Sequence, residues 1–191
     1  MNIAAIVLAA GQSKRFGEDN KLFTNYNGTP LIDHCLNIVL DCDFSDRILV
    51  TGFDQERMLQ HIDGLSFRTI HNDKYTEGMG TSLAKGVNEL NAEHDAFMVF
   101  LADMPDISKD KIQQLITAFV ENKSATIVRP TFKGKPGHPV LFAASHKNEM
   151  LNLKGDGGAA MIIKKHKTST VSVEVLSRDV IRDIDLREDL D

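Results

Sequence analysis

The stretch LAAGQSKRFG at residues 8–17 decides the fold of this chain. It ends an apolar run, Ile3 to Leu8, that predicts a buried strand, and it leads from small residues to the cations Arg15 and Lys21. Strands that end in this way are typical of the carboxyl edge of a parallel sheet, where α/β proteins bind their ligands. The stretch therefore predicts an α/β fold with a ligand site after its first strand.

The small residues of this stretch predict a turn that binds phosphate. A phosphate accepts hydrogen bonds from backbone N–H groups where no Cβ blocks its approach. Arg15 and Lys21 then offer it a planar fork and a point charge. The spacing is neither that of a P-loop nor that of a dinucleotide fingerprint. The alternative, a glycine turn with two solvated cations, explains Gly11 alone better than it explains the whole run.

Composition and charge narrow the class of protein. The length of 191 residues suits one domain, 1–191, with a core of its own. The net charge of −5 argues against a general nucleic-acid binder, which needs a basic face. Every apolar run is shorter than the ~20 residues that span a membrane, and the amino terminus does not resemble a signal peptide. We therefore expect a cytoplasmic protein that binds neither a membrane nor nucleic acid.

The chain has two cysteines, Cys35 and Cys42. On one helix they would lie ~10.5 Å apart, which is beyond the reach of a disulfide. We therefore expect two reduced, partly buried thiols. The sequence contains no Cys-x-x-Cys and no Cys/His cluster, which argues against a zinc site.

Strand and helix signals alternate along the chain, which predicts a mostly parallel sheet with crossover helices. Thr29 is expected to cap a helix over 30–40 that has Pro30 at its first position. Ser108 is expected to cap a second helix, whose apolar residues repeat at helical spacing. Further helices are expected over 81–90 and 156–165. The predicted strands are 4–8, 47–51, 67–70, 97–101, 126–128, 140–142 and 170–175.

Asp103 directly follows a second buried strand, FMVFLA at 97–102. A carboxylate in this position is costly to bury without a cation beside it. If the neighbouring strand end holds a triphosphate, Mg²⁺ is the expected partner, because it binds one or two carboxylates together with phosphate oxygens and water. The structural alternative is a turn-forming role before Pro105.

Four further stretches carry candidate site residues. Asn72 and GMGTSL at 78–83 could surround a base or ribose, although a glycine loop with a helix cap explains them almost as well. GKPGHP at 134–139 predicts a shaped loop over a site, in which His138 contacts an acceptor or orients the loop. GDGGA at 155–159 predicts a helix start, capped by Asp156, that could bind an anion. DIDLREDL at 183–190 is either a frayed tail or part of the site.

In this order, the motifs resemble those of the nucleotidyltransferases that attach CMP or GMP to the molybdenum cofactor. The stretch at 8–21 resembles the family signature L-A-[AG]-G-x-S-x-R-[FM]-G…K. LADMP at 101–105 resembles the second family motif, and GKPGHPVLF at 134–142 resembles the pattern G-x-P-G-H-P-V-L-F. The resemblance covers nearly the whole chain and implies a three-layer α/β/α, Rossmann-like nucleotidyltransferase fold.

The resemblance also implies roles for individual residues. Asp103, with Asp185, would bind the catalytic Mg²⁺. Arg15 would hold the leaving pyrophosphate, and Lys21 would neutralise the α-phosphate. The acceptor would contact Gly137, His138, Asp156 and Gly158. The nucleotide would lie against Leu8, Ala9, Ala10, Gly11, Ser13, Asn72, Gly78 and Ser82.

The implied reaction transfers CMP from CTP to the terminal phosphate of molybdopterin and releases pyrophosphate, with a xanthine-oxidase-type molybdoenzyme as a further partner. Ala10 matches the cytidylyl version of the signature, since guanylyl relatives usually have Gly there. Three alternatives remain: a nucleotidyltransferase that uses GTP or a sugar-phosphate acceptor, a maturation factor for one molybdoenzyme, and a non-catalytic nucleotide-binding regulator. The chain departs from the family pattern at Ala160, where an Arg is expected, and at Leu186-Arg187, where the family has Thr-Pro.

Overall fold

An eight-stranded, mainly parallel sheet forms the centre of the computed structural model, which describes residues 1–17 and 19–190. Two short strands form a separate antiparallel pair. The strands are β1 (Ile3–Ala9), β2 (Asn25–Tyr26), β3 (Thr29–Pro30), β4 (Asp46–Thr51), β5 (Arg68–His71), β6 (Ala96–Leu101), β7 (Ile127–Phe132), β8 (Lys135–Pro136), β9 (Val140–Ala143) and β10 (Thr170–Glu174).

The order of strands across the sheet is β10-β7-β9-β6-β1-β4-β5, and β8 pairs with β7. β1 is parallel to both of its neighbours, β4 and β6. β9 runs antiparallel to its neighbours β6 and β7. Each strand predicted from the sequence is present, and the α/β fold class is confirmed.

Helices cover both faces of the sheet. Alternate residues of β1 point to opposite faces and belong to two different hydrophobic cores. α1 and α4 bury apolar side chains in the first core, and α3 and α6 do so in the second. The helices are α1 (Leu31–Leu40), α2 (Gln55–His61), α3 (Met79–Asn88), α4 (Lys109–Glu121), α5 (Lys147–Met150) and α6 (Ala160–Lys165). Short 3₁₀ turns lie at Lys21–Phe23, Tyr75–Glu77, Ala144–His146, Lys167–Ser169, Arg178–Ile181 and Arg187–Leu190.

The prediction that Thr29 caps the first helix is wrong. Thr29 belongs to β3, which pairs with β2, and its hydroxyl lies 2.9 Å from Nε2 of His34. Pro30 precedes the helix instead of opening it, because α1 begins at Leu31. Ser108 does precede α4 as predicted, but its side chain makes no capping hydrogen bond.

The prediction of a helix that starts at Asp156 is also wrong. The glycines around Asp156 form turns, with positive φ angles at Gly155 (67°) and Gly158 (47°). α6 begins only at Ala160. Asp156 therefore caps no helix and lies on an irregular loop.

Cys35 and Cys42 are free and buried, as predicted. Burial, with a smaller effect of the Asp103 charge, raises the pKa of Cys35 to about 12. Burial also raises the pKa of Cys42. Both thiols are therefore protonated at neutral pH and unreactive. Across 1–17 and 19–190, no helix has the length and apolar character needed to cross a membrane.

Candidate active site

The carboxyl ends of β1 and β6 open into a cavity of about 580 Å³. Its walls come from the loop after β1, the residues after β6, the start of α3 and the carboxyl-terminal segment. Most of the residues predicted to bind nucleotide or metal line it: Leu8, Ala9, Ala10, Gly11, Ser13, Arg15, Lys21, Gly78, Ser82, Asp103 and Asp185. The cavity thus joins residues from the first and last segments of the chain.

Lys21 binds two carboxylates inside this cavity. Its Nζ lies 2.7 Å from Oδ2 of Asp103 and 2.9 Å from Oδ1 of Asp185. Arg15 pairs with the other oxygen of Asp185 at 2.7 Å. The Lys21 side chain is only 12% exposed, whereas the Arg15 side chain is 71% exposed. Lys21 is therefore a fixed cation between two acids, and Arg15 lies at the mouth of the site.

The two carboxylates determine the charge state of Lys21. Burial alone would lower its pKa, but the charges and hydrogen bonds of Asp103 and Asp185 outweigh burial and raise the pKa above its usual value. Lys21 is therefore positively charged at any physiological pH.

Asp183 lines the same cavity, and the sequence analysis did not single it out. Desolvation, followed by the charges of Asp185 and Asp103, raises the pKa of Asp183 above its usual value. The signal that could have indicated it is the D-x-D spacing with Asp185, because alternate residues of an extended segment share a side.

The loop after β1 is shaped to receive an anion. A Cβ added to Gly11 would meet no atom within 4 Å, so the space beside its backbone is open. Ser13 has a positive φ of 52°, and its Oγ accepts a hydrogen bond from the backbone N–H of Lys21 at 3.2 Å. This bond fixes the turn that carries the Lys21 cation into the cavity.

Asn72 supports the cavity wall from behind and does not itself line the cavity in the described part of the chain. It is 1% exposed, and its side-chain amide donates to Oγ1 of Thr81 and Oγ of Ser82, both at 2.9 Å. The contact between Asn72 and the nucleotide therefore stays a prediction. Asn72 orients Ser82, which does line the cavity.

The start of α3 packs directly against the loop that contains Asp156. A Cβ at Gly78 would lie 2.3 Å from the backbone carbon of Gly155, and φ at Gly78 is 109°, so only glycine fits there. The N–H of Gly80 donates to the carbonyl of Gly155 at 2.8 Å. This packing brings Asp156, predicted as an acceptor contact, to the wall of the first cavity.

A second cavity, of about 510 Å³, adjoins the first, and Leu8, Met79 and Leu101 line both. The remaining residues predicted to bind an acceptor, Gly137, His138 and Gly158, line this second cavity. So do three cations that the sequence analysis did not assign to the site: Arg129, Lys164 and Lys167. No motif marks these cations, because each comes from a different element. The second cavity therefore offers an anion several partners.

The loop after β8 presents His138 to the second cavity. The backbone N–H of His138 donates to the carbonyl of Val180 at 2.8 Å, and a Cβ at Gly137 would lie 2.1 Å from that same oxygen. Gly137 is thus required for packing. Burial lowers the pKa of His138 despite the opposing charge of Asp103, so the imidazole is neutral at pH 7. Its buried Nδ1 has no hydrogen-bond partner among the described residues, and a polar ligand could supply one.

The first cavity lies at the carboxyl edge of a parallel sheet, where nucleotide-binding α/β proteins hold their ligands. Residues 5–171 match the model of the MobA-like NTP transferase domain. The chain belongs to this family, which confirms the resemblance seen in its motifs.

Individual relatives extend this result over the whole chain. The molybdenum cofactor cytidylyltransferase of Escherichia coli (strain K12) is 29% identical over 98% of this chain and 93% of its own length. A probable molybdenum cofactor guanylyltransferase of Natranaerobius thermophilus is 28% identical over 77% of this chain and 68% of its own. The crystal structure of Rv0371c from Mycobacterium tuberculosis H37Rv superimposes with a TM-score of 0.86 at 20% identity, covering 99% of this chain and 95% of that one. The last comparison supports the fold.

Proposed function

We propose that this chain, as a single domain, transfers CMP from CTP to the terminal phosphate of molybdopterin and releases pyrophosphate. The observation that carries the proposal is the position of Lys21 between Asp103 and Asp185, beside the open backbone of Gly11. A preorganised cation in such a place suits the charge that develops on a transferring phosphoryl group. The relative from Escherichia coli, a molybdenum cofactor cytidylyltransferase, supports the same substrates.

Positioning and electrostatics would supply most of the catalysis. The acceptor phosphate is already anionic at pH 7, so the reaction needs no general base. The difficulty lies in bringing two anions together and in stabilising charge on the leaving pyrophosphate. Lys21 would neutralise the α-phosphate. Arg15, which is mostly exposed at the mouth of the site, would turn from Asp185 to hold the pyrophosphate.

Asp103 and Asp185 would hold Mg²⁺. Their donor set fits this ion, because both offer hard carboxylate oxygens and both already contact one cation, the Nζ of Lys21. When bound there, Mg²⁺ would offset negative charge on the phosphate oxygens. The protein would keep both acids within reach of a common ion.

The second cavity would bind the acceptor. Val140 and Phe142 give it an apolar surface suited to a ring system, and Arg129, Lys164 and Lys167 suit a phosphate. The cavity adjoins the nucleotide side, so an acceptor phosphate placed near the boundary would be close to the reacting α-phosphate.

A pyrophosphate-release assay tests this function. Purified protein is mixed with Mg²⁺, molybdopterin and each nucleoside triphosphate in turn. We expect release only when CTP and the acceptor are both present. Pyrophosphate release with a sugar phosphate instead of molybdopterin would show that the acceptor is a sugar phosphate. Nucleotide binding without any pyrophosphate release would indicate a regulator.

A preference for CTP over GTP is the first prediction. Ala10 packs closely on Gly52. A Cβ added to Gly52 would lie 2.8 Å from the Ala10 methyl and 2.6 Å from Cβ of Tyr75. Ala10 and Tyr75 both line the first cavity, and we expect the Ala10 methyl group to narrow the space for a base. We expect kcat/KM for CTP to exceed that for GTP by about 10–200-fold, the ~1–3 kcal/mol of a pocket-shape effect.

Steady-state kinetics with both nucleotides measures this preference, and Ala10→Gly should reduce it. Use of GTP is the second candidate function, favoured by the similarity to the probable guanylyltransferase of Natranaerobius thermophilus. Equal kcat/KM values, or higher ones for GTP, would select that candidate.

The departure at Ala160 gives a second prediction. Ala160 is exposed, opens α6 and lines the second cavity one turn before Lys164. An arginine at this position would add a cation to a cavity that already contains several. We expect Ala160→Arg to lower KM for molybdopterin without changing KM for CTP. Lys164→Ala should raise KM for molybdopterin roughly 10-fold or more, since a hydrogen bond to a charged group contributes about 1.5–3 kcal/mol.

Lys165→Ala is the matched control for both variants. Lys165 follows Lys164 in the chain but pairs with Glu149 at 3.1 Å, and it does not line the second cavity within 1–17 and 19–190. Its removal should leave both KM values unchanged. If Ala160→Arg and Lys164→Ala also leave KM for molybdopterin unchanged, the acceptor does not bind in this cavity.

A further inference from the structure

Two histidines and a glutamate come together at the edge of the sheet opposite the first cavity. His146 follows β9, Glu149 lies on α5 and His166 follows the last residue of α6. Each offers one ligand atom, and these atoms all lie within 4.8 Å of one another. β9 ends at Ala143, which pairs with the first residue of β6, whereas Asp103 follows the last residue of β6. The cluster is therefore separate from the first cavity, and it borders the second, which Lys164 and Lys167 on either side of His166 line.

A chain of hydrogen bonds leads from His146 to the backbone of His166. Nε2 of His146 lies 2.9 Å from Oγ1 of Thr126, whose hydroxyl lies 3.0 Å from Oγ of Ser169. The carbonyl of His166 accepts from the N–H and hydroxyl of Ser169 and from the hydroxyl of Thr170. In the tautomer with its proton on Nε2, His146 donates to Thr126 and carries a lone pair on Nδ1.

This lone pair has no partner in the part of the chain that the structure describes. Nδ1 of His146 is buried and makes no hydrogen bond there. A buried polar atom without a partner is uncommon in folded proteins and calls for an explanation such as an ion. The ring of His166 packs edge-on to that of His146, with 4.6 Å between the ring centres.

The other two members of the cluster already contact each other. Nε2 of His166 lies 2.9 Å from Oε1 of Glu149, and Nζ of Lys165 lies 3.1 Å from Oε2. The side chains of His166 and Glu149 are 28% and 33% exposed, so an ion can reach them from solvent. Lys165 is mostly exposed and can leave the carboxylate at little cost.

We propose that Nδ1 of His146, Nε2 of His166 and the carboxylate of Glu149 bind a divalent transition metal ion of the Zn²⁺ class. Two imidazole nitrogens and one carboxylate suit Zn²⁺ and its neighbours, whereas Mg²⁺ prefers oxygen ligands alone. Ligands 2.0–2.2 Å from a tetrahedral zinc lie about 3.4 Å apart, so the half-exposed side chains need only small movements to close on the ion. Water completes the tetrahedron.

Thr126 has the position of the outer partner that orients a metal-binding histidine. Such partners accept the hydrogen of the second ring nitrogen and so present the first to the ion. This site could not be predicted from sequence, because His146 and His166 are far apart in the chain and no spacing motif joins them. The sequence analysis argued against a zinc site because it found no Cys/His cluster, and our proposal differs from that expectation.

An ion here would fasten both ends of the segment between His146 and His166. That segment contains the loop 154–160, which lines both cavities through Asp156 and Gly158. The ion would act as a structural clip at the base of the segment. This role does not depend on the proposed transfer reaction.

Zinc titration of the full chain tests the site, with ZnCl₂ as the probe and a chromophoric chelator as competitor. The Asp103→Asn background removes one acid of the other candidate metal site. We expect one Zn²⁺ per chain with micromolar or tighter affinity, unaffected by millimolar Mg²⁺. His166→Gln and Glu149→Gln should each weaken binding by more than about 100-fold, and Thr126→Val by about 10–100-fold. Co²⁺ should give the visible absorption of a four-coordinate site.

Two control variants test whether zinc binding depends on the three proposed ligands. His61 pairs with Asp33 at 2.6 Å, with exposures of 27% and 25%, so His61→Gln removes a comparable pair and should leave zinc affinity unchanged. Lys165→Ala frees the carboxylate and should leave affinity equal or tighter. Melting temperatures without metal establish that each variant folds, and Zn²⁺ should raise only those of chains with all three ligands. Zinc affinity that survives His166→Gln and Glu149→Gln, or no binding by the parent, overturns the proposal.

Discussion

Asp103→Asn should abolish transfer of the nucleotidyl group at any Mg²⁺ concentration. The substitution keeps the size of the side chain but removes one of the two charges that Lys21 holds together. Loss of a preorganised electrostatic contact costs on the order of 10²–10³ in rate, and loss of a metal ligand as well should exceed that. Pyrophosphate release at saturating Mg²⁺, with far-UV circular dichroism to verify folding, measures the effect.

Asp106→Asn is the matched control for this variant. Asp106 lies three residues further on and pairs with Arg182 at 3.0 Å, outside the first cavity in the described part of the chain. It should retain the parental rate. Parental turnover in Asp103→Asn would remove Asp103 from the mechanism.

Lys21→Ala and Arg15→Ala should each lower kcat by about 10²–10³, with a smaller effect on KM for CTP. The two variants should differ in stability. Lys21→Ala leaves two partly buried carboxylates without their shared cation and should lower the melting temperature. Arg15 is largely exposed, so its loss should leave the melting temperature unchanged.

Thermal unfolding and steady-state kinetics on the same samples separate the two effects. Lys21→Arg keeps the charge and should recover much of the stability but not the rate, because the guanidinium differs in shape from the ammonium group. Arg57→Ala is the control for Arg15, since Arg57 is also exposed and has an acidic neighbour, Asp54, at 3.8 Å. It should match the parent in both measurements. An effect confined to KM would mean that Lys21 and Arg15 contribute to binding of CTP in the ground state and not to the transition state.

The central strands β1, β4 and β6 could be predicted because they are mostly buried on both faces. β1 reads as one apolar run, and its residues alternate between two cores. The direction of β9 could not be read in the same way, since a strand apolar on both sides looks the same in either orientation. α2 has Met58 as its buried residue, which is too little to produce a helical pattern. The small β2–β3 pair was mistaken for a helix start because Thr29 and Pro30 suit both.

Some residues of the candidate site could be predicted from the sequence, and others could not. Gly11, Lys21 and Asp103 could be predicted because each lies in a short motif at the end of a strand. Arg129 could not be predicted to join Lys164 and Lys167, since tertiary packing alone brings it to their cavity. The supporting role of Asn72 also depends on packing, because the hydroxyls it orients come from another element.

The boundary that the two cavities share limits how far nucleotide specificity and acceptor specificity can change independently. Leu8, Met79 and Leu101 face both spaces, so a larger or smaller side chain at any of them reshapes both pockets at once. Tyr75 belongs to the first cavity and Phe142 to the second. In an evolving lineage, a new choice of nucleotide or of acceptor should therefore arise at positions such as these, while the three boundary residues change together or stay fixed.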